Sequence, residues 1–140
     1  MIRKGEQKDI SRIMEIWLDT NMEAHNFISP DYWKNNYEMV GSMMHDAELY
    51  VYEREGNICG FAGLMGNYLA GIFVGNMYQR TGIGKKLLDY VKKQKTEFFL
   101  HVYEKNKDAV RFYLREGFVR KKKQIEKENQ EIEYEMWWHR

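Results

Sequence analysis

Residues 79–85 read Gln-Arg-Thr-Gly-Ile-Gly-Lys, directly after the apolar run Ala70–Val74 and its polar turn. Ile83, Leu87 and Val91 then recur at helical spacing, so the segment joins a strand to the start of a helix. The first turn of a helix leaves backbone N–H groups without partners, and the positive end of the helix dipole favours an anion there. Gly82 and Gly84 remove side chains that would hold a phosphate away from the backbone, and Arg80, Lys85 and Lys86 add positive charge. The chemistry implied is a seat for a phosphate or pyrophosphate. It is not a P-loop, because Gln79 stands where the first glycine is required and Lys86 follows Lys85. Nor is it a dinucleotide fingerprint, whose third glycine would fall at Leu87. Taken alone, two glycines in a turn also describe an ordinary helix start.

A second block lies downstream. Leu100-His101-Val102 ends a strand, Asn106-Lys107-Asp108-Ala109 opens a helix, Phe112-Tyr113 follow, and Gly117-Phe118 close the unit. The two blocks together resemble the GNAT superfamily of acyl-CoA-dependent N-acyltransferases. Its pyrophosphate loop, Gln/Arg-x-x-Gly-x-Gly/Ala, is matched by Gln79, Gly82 and Gly84. Its following block, Asn-x-x-Ala-x-x-Phe-Tyr-x-x-x-Gly-Phe, is matched by Asn106, Ala109, Phe112, Tyr113, Gly117 and Phe118. The resemblance covers almost the whole chain.

The resemblance implies a cosubstrate, acetyl-CoA, lying in a V between two splayed parallel strands, here Ala70–Val74 and Phe98–Tyr103. Backbone groups of Ile72, Phe73 and Val74 would pair with the pantetheine arm. Amides of Arg80, Thr81, Gly82, Ile83, Gly84 and Lys85, after Gln79, would hold the pyrophosphate, and Asn106 would hydrogen-bond the cofactor. Tyr113 falls where many members carry a tyrosine beside the sulfur. A thiol near pKa ~8.5 leaves, and a phenol near ~10 can donate to it while keeping its own proton at rest. No metal is implied.

An amine acceptor must be neutral to attack. Many members supply a central-strand glutamate for this, acting directly or through water. Here residues 67–71 read Asn-Tyr-Leu-Ala-Gly, with no carboxylate, so the base is unassigned. His25 and His101 are candidates, since histidine titrates near neutral pH, and a water chain would serve equally. Ala24-His25-Asn26-Phe27 resembles a stretch of some small bacterial members at a junction that walls the acceptor pocket, so Phe27 joins the candidates. The resemblance implies a small-molecule or peptide amine as the acceptor. A noncatalytic acyl-CoA-binding or regulatory module with the same fold is the competing reading.

The elements that must position these residues follow from periodicity. Ile2 sits in a short first strand. Ile10, Ile13, Met14 and Trp17 mark a first helix with Asp9 as its N-cap, and Asn21–Pro30 breaks the chain. Trp33, Tyr37, Val40 and Met44 form one face of a second helix. Strands at Leu49–Tyr52 and Ile58–Met65 make a hairpin around Gly56-Asn57. Phe118–Arg120 and Ile132–Trp138 close the chain as strands, the latter with glutamates at 131, 133 and 135 on its polar face. Strand–helix–strand units and hairpins together give an α/β fold, a single-domain mixed sheet with splayed central parallel strands, flanked by helices, spanning residues 1–140.

Composition narrows the classes. With 22 basic against 21 acidic residues there is no basic excess of the kind a nucleic-acid binder carries. Arg120–Lys123 is followed by Glu126, Glu128 and Glu131 and reads as a solvated face or turn at a strand end, with RNA contact a weaker reading. No apolar run approaches the ~20 residues of a membrane span, and no secretory signal opens the chain. The single cysteine, Cys59, allows no internal disulfide and reads as a small core residue. These features imply a cytoplasmic protein without nucleic-acid or membrane partners, compatible with a homodimer.

Overall fold

A computed structural model describes residues 1–140. The strands are β1 (Ile2–Lys4), β2 (Glu48–Arg54), β3 (Asn57–Met65), β4 (Tyr68–Val74), β5 (Glu97–Tyr103), β6 (Val119–Glu126) and β7 (Glu131–His139). The helices are α1 (Ile10–Ala24), α2 (Pro30–Asn35), α3 (Tyr37–Met44), α4 (Ile83–Gln94) and α5 (Lys107–Arg115). All seven strands form one sheet in the order β1-β2-β3-β4-β5-β7-β6. Every pairing is antiparallel except β4 with β5.

Apolar faces decide the layering. Ile13, Ile16 and Trp17 of α1, Trp33 of α2 and Met44 of α3 pack with Leu49, Val51 and Phe61 on one side of the sheet. Leu88 and Val91 of α4 and Val110 and Tyr113 of α5 pack with Leu64, Phe98, Leu100 and Met136 on the other. Because β2 lies between both layers, Leu49 to Tyr52 are buried at every position, without the in–out alternation of a half-exposed strand.

The central seam is short. β4 and β5 share one residue pair, Tyr68 with Phe99, supported by the Phe99 N–H donating to the Asn67 carbonyl at 2.9 Å. Against β3, the register passes from Leu64–Leu69 to Gly63–Gly71, which leaves Ala70 as an extra residue in β4. Such a bulge bends its strand, and here it coincides with the point where β4 parts from β5. The expected splay of two central parallel strands is thus present, with a cause in the register.

Three local expectations are corrected. Asp9 stands at the N-cap position of α1 but makes no side-chain capping bond; it ends a short 3-10 turn, and its carboxylate accepts from the Glu6 N–H at 2.8 Å and from the two terminal Arg3 guanidinium nitrogens, at 2.8 and 3.0 Å. The second helix is two helices, because the Asn36 side chain donates to the Tyr32 carbonyl at 2.7 Å and its own N–H turns back onto Tyr32 and Trp33. Arg120–Lys123 lies within β6, which runs on to Glu126 against β7, and its side chains are exposed.

Arg3 also holds Glu53 at 2.8 Å, so one guanidinium ties β1 to β2 and to the turn before α1. The Arg3 bond holds the Asp9 carboxyl below the usual carboxylate range. Asp9→Asn is expected to destabilise the fold by about 2–3 kcal/mol, the range for removing a charged partner from a buried site. Since the folded value is depressed, the contribution of Asp9 is complete above pH ~4 and is lost as pH falls through that folded value. Urea unfolding across acidic to neutral pH should give the variant a flatter acid limb. An unchanged midpoint at neutral pH would contradict the assignment.

Candidate active site

The glycine loop forms through two left-handed residues, Arg80 at φ 64° and Gly82 at φ 85°. A Cβ added at Gly82 would meet nothing within 4 Å, so conformation rather than space demands glycine there. The Gln79 side chain donates to the Val74 carbonyl at 3.1 Å and pins the loop to the end of β4, and the Thr81 hydroxyl donates to the Tyr78 carbonyl within the turn before it. The first helical bond of α4 runs from the Lys86 N–H to the Gly82 carbonyl at 3.1 Å. The amides of Ile83, Gly84 and Lys85 precede it and have no helical acceptor.

Side-chain charge is arranged differently from the sequence expectation. Lys85 is held by Asp89 at 3.3 Å and Glu116 at 3.1 Å, and Lys86 lies 5.7 Å from the centre of the Tyr52 ring. Ile83 is a core residue beside Cys59 and Leu87, so only its backbone can serve a ligand. Arg80 and Gly84 do line the cleft, joined by Lys107 from the first turn of α5. A phosphate placed at this end of the cleft would thus meet mainly backbone amides.

From this loop a cleft of about 690 Å³ runs between β4 and the start of α5. The Gly75 N–H donates to the Cys59 carbonyl at 2.8 Å. Alternation in the antiparallel ladder then directs the peptide groups of Phe73 to β3, and those of Ile72 and Val74 away from it. Of the three residues expected to offer backbone to a ligand, Ile72 and Val74 have groups free to do so, and the Val74 carbonyl is already bonded to Gln79.

A second cavity of about 270 Å³ opens beyond the cleft. The two meet at His25, Ile72, Phe73, Asn106 and Tyr113. Phe73 lies flat over Gly71, where an added Cβ would come within 2.5 Å of its ring, and stacks on Phe61 at 4.9 Å. Asn106 caps α5 through its Oδ1, which accepts from the Ala109 N–H at 3.3 Å, and its Nδ2 lies 3.1 Å from His25 Nε2. The amide donates, which assigns the imidazole proton to Nδ1, a buried atom without a partner. This bond crosses from the end of α1 to the start of α5. Burial pushes the His25 pKa down to about 4. Tyr113 is 7% exposed, and burial raises its phenol further, with the nearby Tyr68 adding to it.

His101 also lines the second cavity, with Nε2 3.3 Å from Glu135. Phe27 lies one layer behind, its ring 5.7 Å from His25 and 5.6 Å from Tyr103, and lines neither cavity. Trp17 and Trp33, two of the rings near the first helix junction, line this cavity too, whereas three of its residues went unread in the sequence: Tyr68, Tyr103 and Glu133. Glu133 sat in the glutamate series of the last strand and looked like solvent face. Its pairing with Tyr103 in β5 turns it inward, a register no periodicity reveals.

A mixed sheet parted between two parallel strands, with a helix N-terminus at the mouth and a buried tyrosine at the throat, defines the architecture of an acyl-CoA-dependent acyltransferase. Residues 14–134 match the family model of the acetyltransferase (GNAT) domain, and this chain belongs to that family. It is an acetyl-CoA-dependent acetyltransferase. It is 36% identical over 120 residues to the peptidyl-lysine N-acetyltransferase YiaC of Escherichia coli, covering 84% of this chain and 82% of that protein. The solution structure of YjaB from Escherichia coli superposes with a TM-score of 0.85 at 23% identity, covering 98% of this chain and 95% of the other. The structure of yncA from Salmonella typhimurium with its cofactor acetyl-CoA gives 0.67 at 18% identity, covering 99% and 92%.

If amides and not cations make the seat, Gly82→Val should weaken CoA binding at least about tenfold, since a β-branched residue cannot hold that φ without strain. Lys85→Ala and Lys86→Ala should each stay within about threefold, as expected for exposed, already partnered charges. Calorimetric titration of the folded variants decides it; a reversed ranking would refute the backbone seat. His25 gives a second outcome. Because its folded pKa is depressed, its neutral burial supports the fold fully above pH ~6.5 and loses that support as pH falls towards the folded value. Imidazole NMR shifts should show no protonation of His25 at pH ~6, and His25→Phe should weaken the dependence of stability on pH between ~6.5 and ~4. A His25 midpoint near ~6.5 would contradict the burial argument.

Proposed function

We propose that this enzyme moves the acetyl group of acetyl-CoA to the primary amine of a lysine side chain in a peptide or protein, by direct attack of that amine on the thioester. The observation that carries the reading is the meeting of the two cavities at Tyr113. A donor reaching along the cleft from the glycine loop and an acceptor entering the aromatic cavity come together at one buried hydroxyl. The name of the 36% identical relative, peptidyl-lysine N-acetyltransferase, supports the acceptor class.

Acetyl-CoA supplies an activated acyl carbon and a thiolate leaving group. The protein's part is to place and to protonate. Amides of residues 82–85 hold the pyrophosphate, and the free peptide groups of Ile72 and Val74 receive the pantetheine amides as an added strand would. Asn106 keeps one amide hydrogen for the cleft after bonding His25. His25 is a poor proton acceptor at neutral pH, because burial favours its uncharged form; it positions Asn106 and closes the throat. The raised Tyr113 phenol stays protonated and donates its hydrogen bond to the departing sulfur. A noncatalytic acyl-CoA module is not favoured, since a binding module has no need of a second cavity at the thioester end.

The direct experiment is acetyl-CoA with a lysine-containing peptide, read by thiol release and by mass spectrometry of the acetylated residue. Tyr113→Phe keeps the ring, so it should fold normally and bind acetyl-CoA nearly as well as the parent. Its kcat should fall roughly 10- to 1000-fold, around the range for one general acid. The loss should shrink with an acyl donor whose thiol leaves more easily. Parental kcat in Tyr113→Phe under rate-limiting chemistry, or equal losses with good and poor leaving groups, would argue against proton donation.

A further inference from the structure

The second cavity is walled by the rings of Trp17, Trp33, Tyr68, Phe73 and Tyr103, together with His25 and His101. It contains no lysine or arginine and a single carboxylate, that of Glu133. The three glutamates on this face of β7 are partnered differently. Glu131 is engaged by Lys105 at 3.1 Å, and Glu135 by His101 at 3.3 Å and by the Trp137 N–H at 2.9 Å. Glu133 is met only by a neutral amide: Gln124 Nε2 donates to its Oε1 at 2.9 Å, and the other oxygen has no partner in the chain. The charge of Glu133 reaches into the cavity, where it adds to burial in raising the Tyr68 phenol.

An aromatic wall with one uncompensated negative charge suits a cation on an apolar arm. Ring faces attract an ammonium, and the carboxylate draws it to one end. The same wall strips water from the ammonium, which disfavours its charged form and eases loss of a proton. We propose that Glu133 receives the cationic amine of the acceptor in this cavity and takes its first proton. It thereby fills the role for which residues 67–71 hold no carboxylate, and the inference rests on the acetyl-transfer reading above. The balance is simple. One N–H bond of the ammonium breaks and its proton passes to a Glu133 oxygen, then to solvent. The freed lone pair forms the C–N bond, the C–S bond breaks, and the sulfur keeps that electron pair. The second proton lost by nitrogen balances the one Tyr113 delivers to sulfur. The groups facing Glu133 are His101 and Tyr103 from β5, Tyr68 from β4, His25 after α1, Tyr113 from α5, Gln124 from β6, and Glu131 and Glu135 on its own strand with Lys122 of β6 beside Glu135.

The test compares two acceptors on the full chain: a peptide carrying one lysine, and trifluoroethylamine, which is largely uncharged at neutral pH. Glu133→Gln keeps the shape and the Gln124 contact. With the lysine peptide at neutral pH its kcat/KM should fall about 100-fold or more, within the range for a positioned base. The loss should narrow as pH rises towards the amine's own value of ~10.4. With trifluoroethylamine the loss should stay within about threefold, because no proton need be taken before attack. Glu133→Asp should recover part of the activity, and calorimetry should find acetyl-CoA affinity unchanged in both variants. Equal losses with both amines, or a pH profile that Glu133→Gln does not move, would overturn the proposal. A parent that binds acetyl-CoA but acetylates neither amine would instead overturn the acetyl-transfer reading, and this inference with it.

Discussion

β4 and β5 pair through Tyr68 and Phe99 and then separate, because β4 carries an extra residue at Ala70 that turns it towards β3. Everything the site does depends on that parting. A continuous parallel ladder would consume the peptide groups of Ile72 and Val74 and close the space that both cavities occupy. The bulge keeps those groups free without leaving them buried and unsatisfied, since the cleft is open to water and to a ligand. The β4 lip carries the glycine loop, whereas the β5 lip leads through Asn106 into α5 and Tyr113.

Neutrality at the throat is a second constraint, and burial produces it. His25 is kept uncharged by the packing of Trp33, Phe27 and Tyr103 around it, and Tyr113 is kept protonated by enclosure. Formal charge sits at the two ends instead. At the glycine-loop end Lys85 is already matched by Asp89 and Glu116, so the helix N-terminus, with Arg80 and Lys107 beside it, supplies the positive potential. At the far end stands Glu133. Between these two ends lies a region with little charge of its own, where burial strengthens hydrogen bonds.

Much of the fold was legible because local rules and tertiary packing agree. Ile83, Leu87 and Val91 repeat at the helical period and are buried, and Gly82 and Gly84 mark the loop in any reading of backbone freedom. The family blocks located Tyr113 and Asn106, and the architecture followed. What stayed hidden depends on long-range register. Nothing near Ala70 announces a bulge, since the extra residue exists only relative to β3. Asn36 divides a helix that periodicity alone would continue. Glu133 shares its alternation with Glu131 and Glu135, and only the sheet partners of each decide which one faces the cavity. The lysines of the loop misled in the opposite way: their spacing placed them beside the seat, but Lys85 is engaged by Asp89 and Glu116, and Lys86 lies over the Tyr52 ring.

The seam has a mechanical meaning as well. Along its splayed length the two halves of the sheet are joined by one residue pair, by the helices that overlie them, and by the His25–Asn106 bond that spans the gap. A donor lodged in the cleft between β4 and the start of α5 would add contacts across that gap. Ligand that binds only the folded state adds stability of about 2.7 kcal/mol at a hundredfold excess over its dissociation constant. The persistence of the folded chain is therefore coupled to the supply of its acyl donor.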